Sequence, residues 1–69
     1  MGKRYTHNKR GGLYEVITDK ALLQCSTDQA LEDTYETQHW TVYRGLHSNM
    51  VFIRLTVEFM DGRFIEVPT

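Results

Sequence analysis

One cysteine, Cys25, and one proline, Pro68, stand in a chain of 69 residues. A lone cysteine closes no disulfide within the chain. A cystine-stapled secreted scaffold is therefore excluded, and a reducing cytoplasm is the expected setting. No apolar run approaches the ~18 residues that a membrane-spanning helix needs. The polar, basic opening holds no apolar stretch of the kind a secretion signal carries. We expect a soluble protein with no membrane partner. Charge of one sign is lacking too: eight Lys and Arg face nine Asp and Glu, a formal net charge of −1. That balance argues against a nucleic-acid binder with a large basic surface.

The signatures of catalysis are also missing. His7, Cys25, His39 and His47 are scattered, with no pair at the spacing of a metal ligand set, so no metal centre is expected. Ser26 and Ser48 lie in no Gly-x-Ser-x-Gly elbow, and Gly11-Gly12 precedes a strand rather than a helix, so it is no phosphate loop. We expect no catalytic residue, no cofactor and no enzyme activity. A chain of this length buries only about 60% of the surface its unfolded form exposes. Small domains of this kind usually need a staple, and self-association is the remaining common one, so a homodimer is expected.

What is present is β-forming sequence. Residues 1–12, MGKRYTHNKRGG, read as a basic N-terminal arm carrying Lys3, Arg4, Lys9 and Arg10, with no acidic residue among them. A single small β domain is expected over 13–69. Leu13 to Thr18 and Ala21 to Thr27 read as strands, joined by a weak Asp19-Lys20 turn. Residues 28–37 are acidic and leave two readings open: one helical turn behind a Ser26/Gln29 capping box, or a surface loop. His39 to Arg44 reads as the third strand, and residues 45–49 have the composition of a hairpin loop. From Met50 the pattern alternates, with Val51, Ile53 and Leu55 expected inward and Phe52 and Arg54 outward. Trp40 and Val42 are expected inward and Tyr43 outward. Asp61-Gly62 marks a tight turn before a last strand over 63–67. The expected fold is mostly β: a five-stranded antiparallel meander curled into an SH3-like barrel, since closure hides its edges, with room for one short helical turn.

The segments KRGGLYEVI, ALLQ, VYRG and IRLTVEFMDGRFIEV carry a resemblance. They are similar to a family of small phage and prophage proteins, with bacterial members, known only as a domain of unknown function. That family's pattern is matched by Tyr5, His7, Lys9 and Gly11, then Tyr14 and Val16, then Val42-Tyr43-Arg44. It is matched again by Phe52, Arg54 and the closing Glu58-Phe59-x-Asp61-Gly62-Arg63-Phe64. Where the family has proline after its arginine, this chain has Leu55, which permits a continuous strand; a turn over Thr56 to Met60, as in small SH3-like barrels, is nonetheless expected. The resemblance implies a phage-type accessory protein in a bacterial host and no catalytic residues.

The candidate site is Tyr43, Arg44, Phe52 and Arg54. If the 45–49 loop pairs the flanking strands, Tyr43 and Phe52 stand together with Arg54 beside them. Such a face suits a protein partner. Its alternative use, with the basic arm, is stacking the bases of a nucleic acid. A non-enzymatic protein-interaction module is the expected function, and a small nucleic-acid-binding β-barrel the alternative.

Overall fold

The computed structural model describes residues 2–24 and 38–68. Cys25, the Ser26/Gln29 capping box and the acidic stretch 28–37 lie outside the described residues. The elements are β1 (Arg4–His7), β2 (Gly11–Leu22), β3 (His39–Gly45), β4 (Val51–Leu55), a one-turn helix α1 (Thr56–Phe59) and β5 (Phe64–Val67). They form one five-stranded antiparallel sheet in the order β4-β3-β2-β1-β5. The first four strands follow as a meander, and β5 returns to the far side of β1. The sheet is not closed: among the described strands, β4 and β5 are its two edges.

Two expectations about the first half are corrected. Residues 4–7 are not part of an arm but a strand with neighbours on both sides. The hairpin that follows needs a backbone few residues tolerate. Gly11 and Gly12 sit at φ +70° and +84°, which only glycine adopts without strain, and the register slips by one residue there, from Thr6↔Leu13 to His7↔Gly11. Nor do Asp19 and Lys20 make a turn. β2 runs unbroken through them for 12 residues, with register shifts between Val16 and Thr18 and between Thr18 and Ala21. The polar Thr-Asp-Lys sequence marks bulges that bend a long strand rather than its end.

The second half forms one of the expected hairpins, β3–β4, whereas the last strand pairs with β1 and not, as a simple meander requires, with β4. Across the β3–β4 loop the Gly45 N–H donates to the Met50 carbonyl at 2.9 Å, and Asn49 takes a positive φ of 60°. The register pairs Tyr43 with Phe52 and Val42 with Ile53. After Leu55 the strand gives way to α1, in place of a strand running on to Met60. Gly62, at φ +104°, and the Asp61 carboxylate accepting the Arg63 N–H at 3.2 Å make the last turn.

Which side of the sheet is inside is the main correction. Tyr5, Tyr14, Val16, Tyr43, Gly45 and Phe52 share one face by register, and this face holds the core. Tyr43, expected outward, is only 5% exposed, while Ile53, expected inward, is 52% exposed and Val51 is 59% exposed. The core is aromatic. Phe59 is fully buried and stacks on Phe64, with ring centroids 4.2 Å apart and planes at 10°. Tyr5 meets Phe59 edge-on at 5.0 Å, and Tyr43 meets Phe52, Phe59 and Phe64 at 5.1–5.6 Å. Rings bury 150–250 Å² apiece, so a thin domain gains more by turning its rings inward than its Val and Ile. The α1 turn makes this consistent. Continuous alternation would put Phe59 on the same side as Ile53, whereas one helical turn brings it round to the ring face.

A partly buried hydroxyl chain ties α1 down. The Thr56 hydroxyl donates to the Asp19 carbonyl at 2.9 Å and lies 2.9 Å from the Thr41 hydroxyl. Having given its one proton to Asp19, Thr56 must accept from Thr41. The bulged middle of β2 is thereby joined to β3 and to the start of α1.

Candidate functional site

The sequence-derived residues separate onto two faces. Arg44 lies opposite Glu15 on the outer face, and its Nη2 donates to the Glu15 carboxylate at 2.9 Å. Its other terminal nitrogen reaches the Asn49 side chain at 3.3 Å. Arg44 is thus engaged within the chain and parted from Tyr43, Phe52 and Arg54, which face the core side. Of the basic residues near the N-terminus, Lys3 stands loosely 4.0 Å from Glu66, and Arg4 pairs in register with Glu15 and Val67. Neither lines the cavity described next.

On the core side, a cavity of about 330 Å³ opens at the end of the sheet where the β1–β2 turn meets the start of β5. Its polar rim is Lys9, Arg10, Arg54 and Arg63; its apolar wall is made by Tyr14, Tyr43, Phe52 and Phe64, with His7 between. Among the described residues no carboxylate lines it. The convergence has a local cause. The Asn8 N–H donates to the Arg63 carbonyl at 2.7 Å, which ties the turn to β5. The His7 Nδ1 accepts the backbone N–H of both Lys9 and Arg10, at 3.2 and 3.1 Å, which tightens the turn. Accepting twice, Nδ1 carries no proton in the neutral ring, so the N–H is on Nε2. The His7 ring packs edge-on to Phe64 at 5.0 Å.

The four cations differ in how they are balanced. Arg63 pairs with Asp61 at 3.1 Å, and Arg54 with Glu58, one helical turn on, at 3.7 Å. Lys9 and Arg10 have no ion pair with any described residue. Hydrogen bonding to the Tyr43 phenol is the largest influence on Arg54 and pushes its pKa up, with partial burial opposing and Glu58 and Asp61 assisting. Its buried Nε has no hydrogen-bond partner among the described residues. The cavity therefore joins a positive rim to a ring-lined wall, a combination suited to an anion attached to a flat group.

Sequence reasoning named Lys9, Arg10, Tyr43, Phe52 and Arg54 and missed His7, Tyr14, Arg63 and Phe64. The missed residues come from three separate strands and a turn, joined by the β1–β2 and β1–β5 pairings, which alternation within one strand does not reveal. Among the described residues no three His, Cys, Asp or Glu side chains come together as a metal site would require.

The outer face presents a second surface. Val51 and Ile53 stand more than half exposed on β4, beside half-buried Val42 and Trp40 on β3. β4 is an edge strand whose only charged residue is Arg54. Among the described residues no helix is long and apolar enough to cross a membrane. The chain matches no protein-family model, no curated protein and no solved structure.

Proposed function

We propose that the protein is a non-enzymatic interaction module that pairs through its β4 edge, with a second copy of the chain as its partner. The observation that carries this reading is the exposure of Val51 and Ile53 on a strand edge that no described strand pairs with. Edge strands are templates for strand addition, and proteins that stay monomeric usually blunt them with charge, proline or a bulge. This one has a single charge and no proline. An antiparallel two-fold pairing centred on Ile53 would set Val51 opposite Leu55 and Phe52 opposite Arg54. Each arginine would then meet a ring rather than another arginine, so no like charges oppose across the seam. A homodimer of this kind also supplies the staple that so short a chain needs.

Two further elements belong to the same proposal. A β5 that returns to β1, a long bent β2 and a helical turn between β4 and β5 support a small SH3-like barrel left open at one seam. The resemblance carried by Arg54 to Phe64 supports a phage-type accessory role in the cytoplasm of a bacterial host. A second reading, single-stranded nucleic acid, is favoured by a separate observation: Lys9 and Arg10 meet Phe52 and Arg54 on one cavity.

Sedimentation equilibrium on the wild type and on Ile53→Lys tests the first reading. A wild-type dimer that Ile53→Lys converts to a monomer with an unchanged circular dichroism spectrum is expected. A wild type that stays monomeric as its concentration rises, or an Ile53→Lys variant that dimerises equally well, would remove it.

A further inference from the structure

We infer that the cavity between the β1–β2 turn and β5 binds one nucleotide unit, its phosphate against Lys9 and Arg10 and its base against the Phe52 and Tyr14 rings. This rests on the second reading above in sharing the cavity, and adds the ligand's size and orientation.

Three observations carry it. The first is charge: Lys9 and Arg10, adjacent in a turn that His7 and Arg63 hold in place, have no carboxylate among the described residues to neutralise them. Arg4 and Lys20 form no ion pair among the described residues either, but of these four cations only Lys9 and Arg10 line the cavity. The second is the wall. Phe52, 36% exposed, presents its ring beside Tyr14 at a centroid distance of 6.3 Å and Tyr43 at 5.6 Å. An exposed ring on a rigid strand stacks any base, because every base has a π face. The third is volume. At about 330 Å³ the cavity lies at the lower end of the ~300–1,000 Å³ range of small-molecule sites. That admits one nucleotide and not a run of them. Phosphate alone would leave the ring wall bare, and an uncharged ring compound would leave Lys9 and Arg10 unused. The shared chemistry, a phosphate ester on a flat base, comes either as a free nucleotide or as one unit of a strand.

Titration calorimetry with uridine monophosphate and inorganic phosphate, and fluorescence anisotropy with a 5′-phosphorylated oligothymidylate, distinguish these sources. The variants are the pair Lys9→Ala with Arg10→Ala, both in an exposed turn, and Phe52→Leu, which keeps apolar volume but loses the ring. Uridine monophosphate is expected to bind more tightly than phosphate. The Lys9→Ala, Arg10→Ala protein should lose about tenfold or more, as expected for charge-assisted contacts. Phe52→Leu should bring uridine monophosphate down towards phosphate. If the strand also binds, its log–log salt slope should fall by roughly 0.7 for each phosphate contact removed. If uridine monophosphate binds this way and the strand does not, the cavity assignment stands and the nucleic-acid reading fails. Three results would overturn the assignment: no binding of uridine monophosphate at low salt, equal binding of phosphate and uridine monophosphate, or uridine monophosphate that binds the Lys9→Ala, Arg10→Ala protein as tightly as the wild type. Ile65→Thr serves as the control, since Ile65 is exposed on β5, paired with Thr6, and belongs neither to the cavity lining nor to the β4 edge.

Discussion

Phe52 and Ile53 are neighbours in sequence with opposite positions in the fold. The Phe52 ring lies against Tyr43 and Tyr14 on the core side, whereas Ile53 is 52% exposed on the outer face. Replacing both by serine therefore makes a clean comparison. Phe52→Ser removes most of a partly buried ring and its contact with Tyr43, and should cost roughly 2–3 kcal/mol. Ile53→Ser exchanges one exposed side chain for another in the monomer and should stay within about 0.5 kcal/mol at concentrations where the chain is monomeric. Urea denaturation followed by tryptophan fluorescence measures both. A stable Phe52→Ser beside an unfolded Ile53→Ser would return the inside of the sheet to the side that alternation alone suggests. That alternation shows why the residue pairs were legible and their side was not. Period two along Met50 to Leu55 correctly groups Val51 with Ile53 and Phe52 with Arg54, and the hairpin loop correctly brings Tyr43 to Phe52. A two-fold period has two solutions, however, and the more regular aliphatic set is not the one with more area to bury. Weighing the two sets by ring content, with Tyr43 and Phe52 on one side and Val42 and Ile53 on the other, is the signal that chooses correctly.

At the scale of elements, the join between β2, β3 and α1 depends on two threonines. Thr41 is fully buried and its hydroxyl donates to Thr56, which in turn donates to the Asp19 carbonyl. The chain has a direction, so its two members are not equivalent. Thr41→Val removes a donor and leaves Thr56 still bonded to Asp19, a nearly isosteric loss of about 1 kcal/mol. Thr56→Val strands both the Thr41 hydroxyl and the Asp19 carbonyl and should cost more, about 2–3 kcal/mol. The double variant should then cost less than the sum of the two, because with Thr41 gone one of the stranded groups no longer exists. Strictly additive values would show that the hydroxyls act independently. This join was invisible in the sequence for a physical reason. Asp19 and Thr56 are 37 residues apart, and a polar Thr-Asp-Lys run has the same composition whether it makes a turn or a bulge. The α1 turn was legible only through the resemblance. Leu55, in place of proline, hides the break, which comes instead from the packing of Phe59 among the other rings.

At the scale of the whole molecule, β1 decides whether residues 1–12 are an appendage or part of the frame. It pairs with β2 on one side and, among the described strands, is the only one that β5 pairs with, so β5 and the buried Phe64 are held to the sheet through it. Tyr5, at its centre, closes over Phe59. Composition pointed to an arm because Lys3, Arg4, Lys9 and Arg10 dominate the count, yet Arg4 and Thr6 alternate with the core-facing Tyr5 and with His7, which packs on Phe64, as in any interior strand. Thr6→Pro separates the two views. Proline has no N–H for the ladder and is tolerated in sheets only at edges, strand starts and bulges, so at an interior strand it should cost about 3 kcal/mol or more. At roughly 0.05–0.15 kcal/mol per residue, 69 residues carry only about 3–10 kcal/mol in all. Thr6→Pro is therefore expected to abolish the cooperative thermal transition. An arm outside the frame would leave the melting temperature where it was. The same substitution also detaches the Asn8 N–H from the Arg63 carbonyl and disperses Lys9 and Arg10, so nucleotide binding should vanish together with the fold.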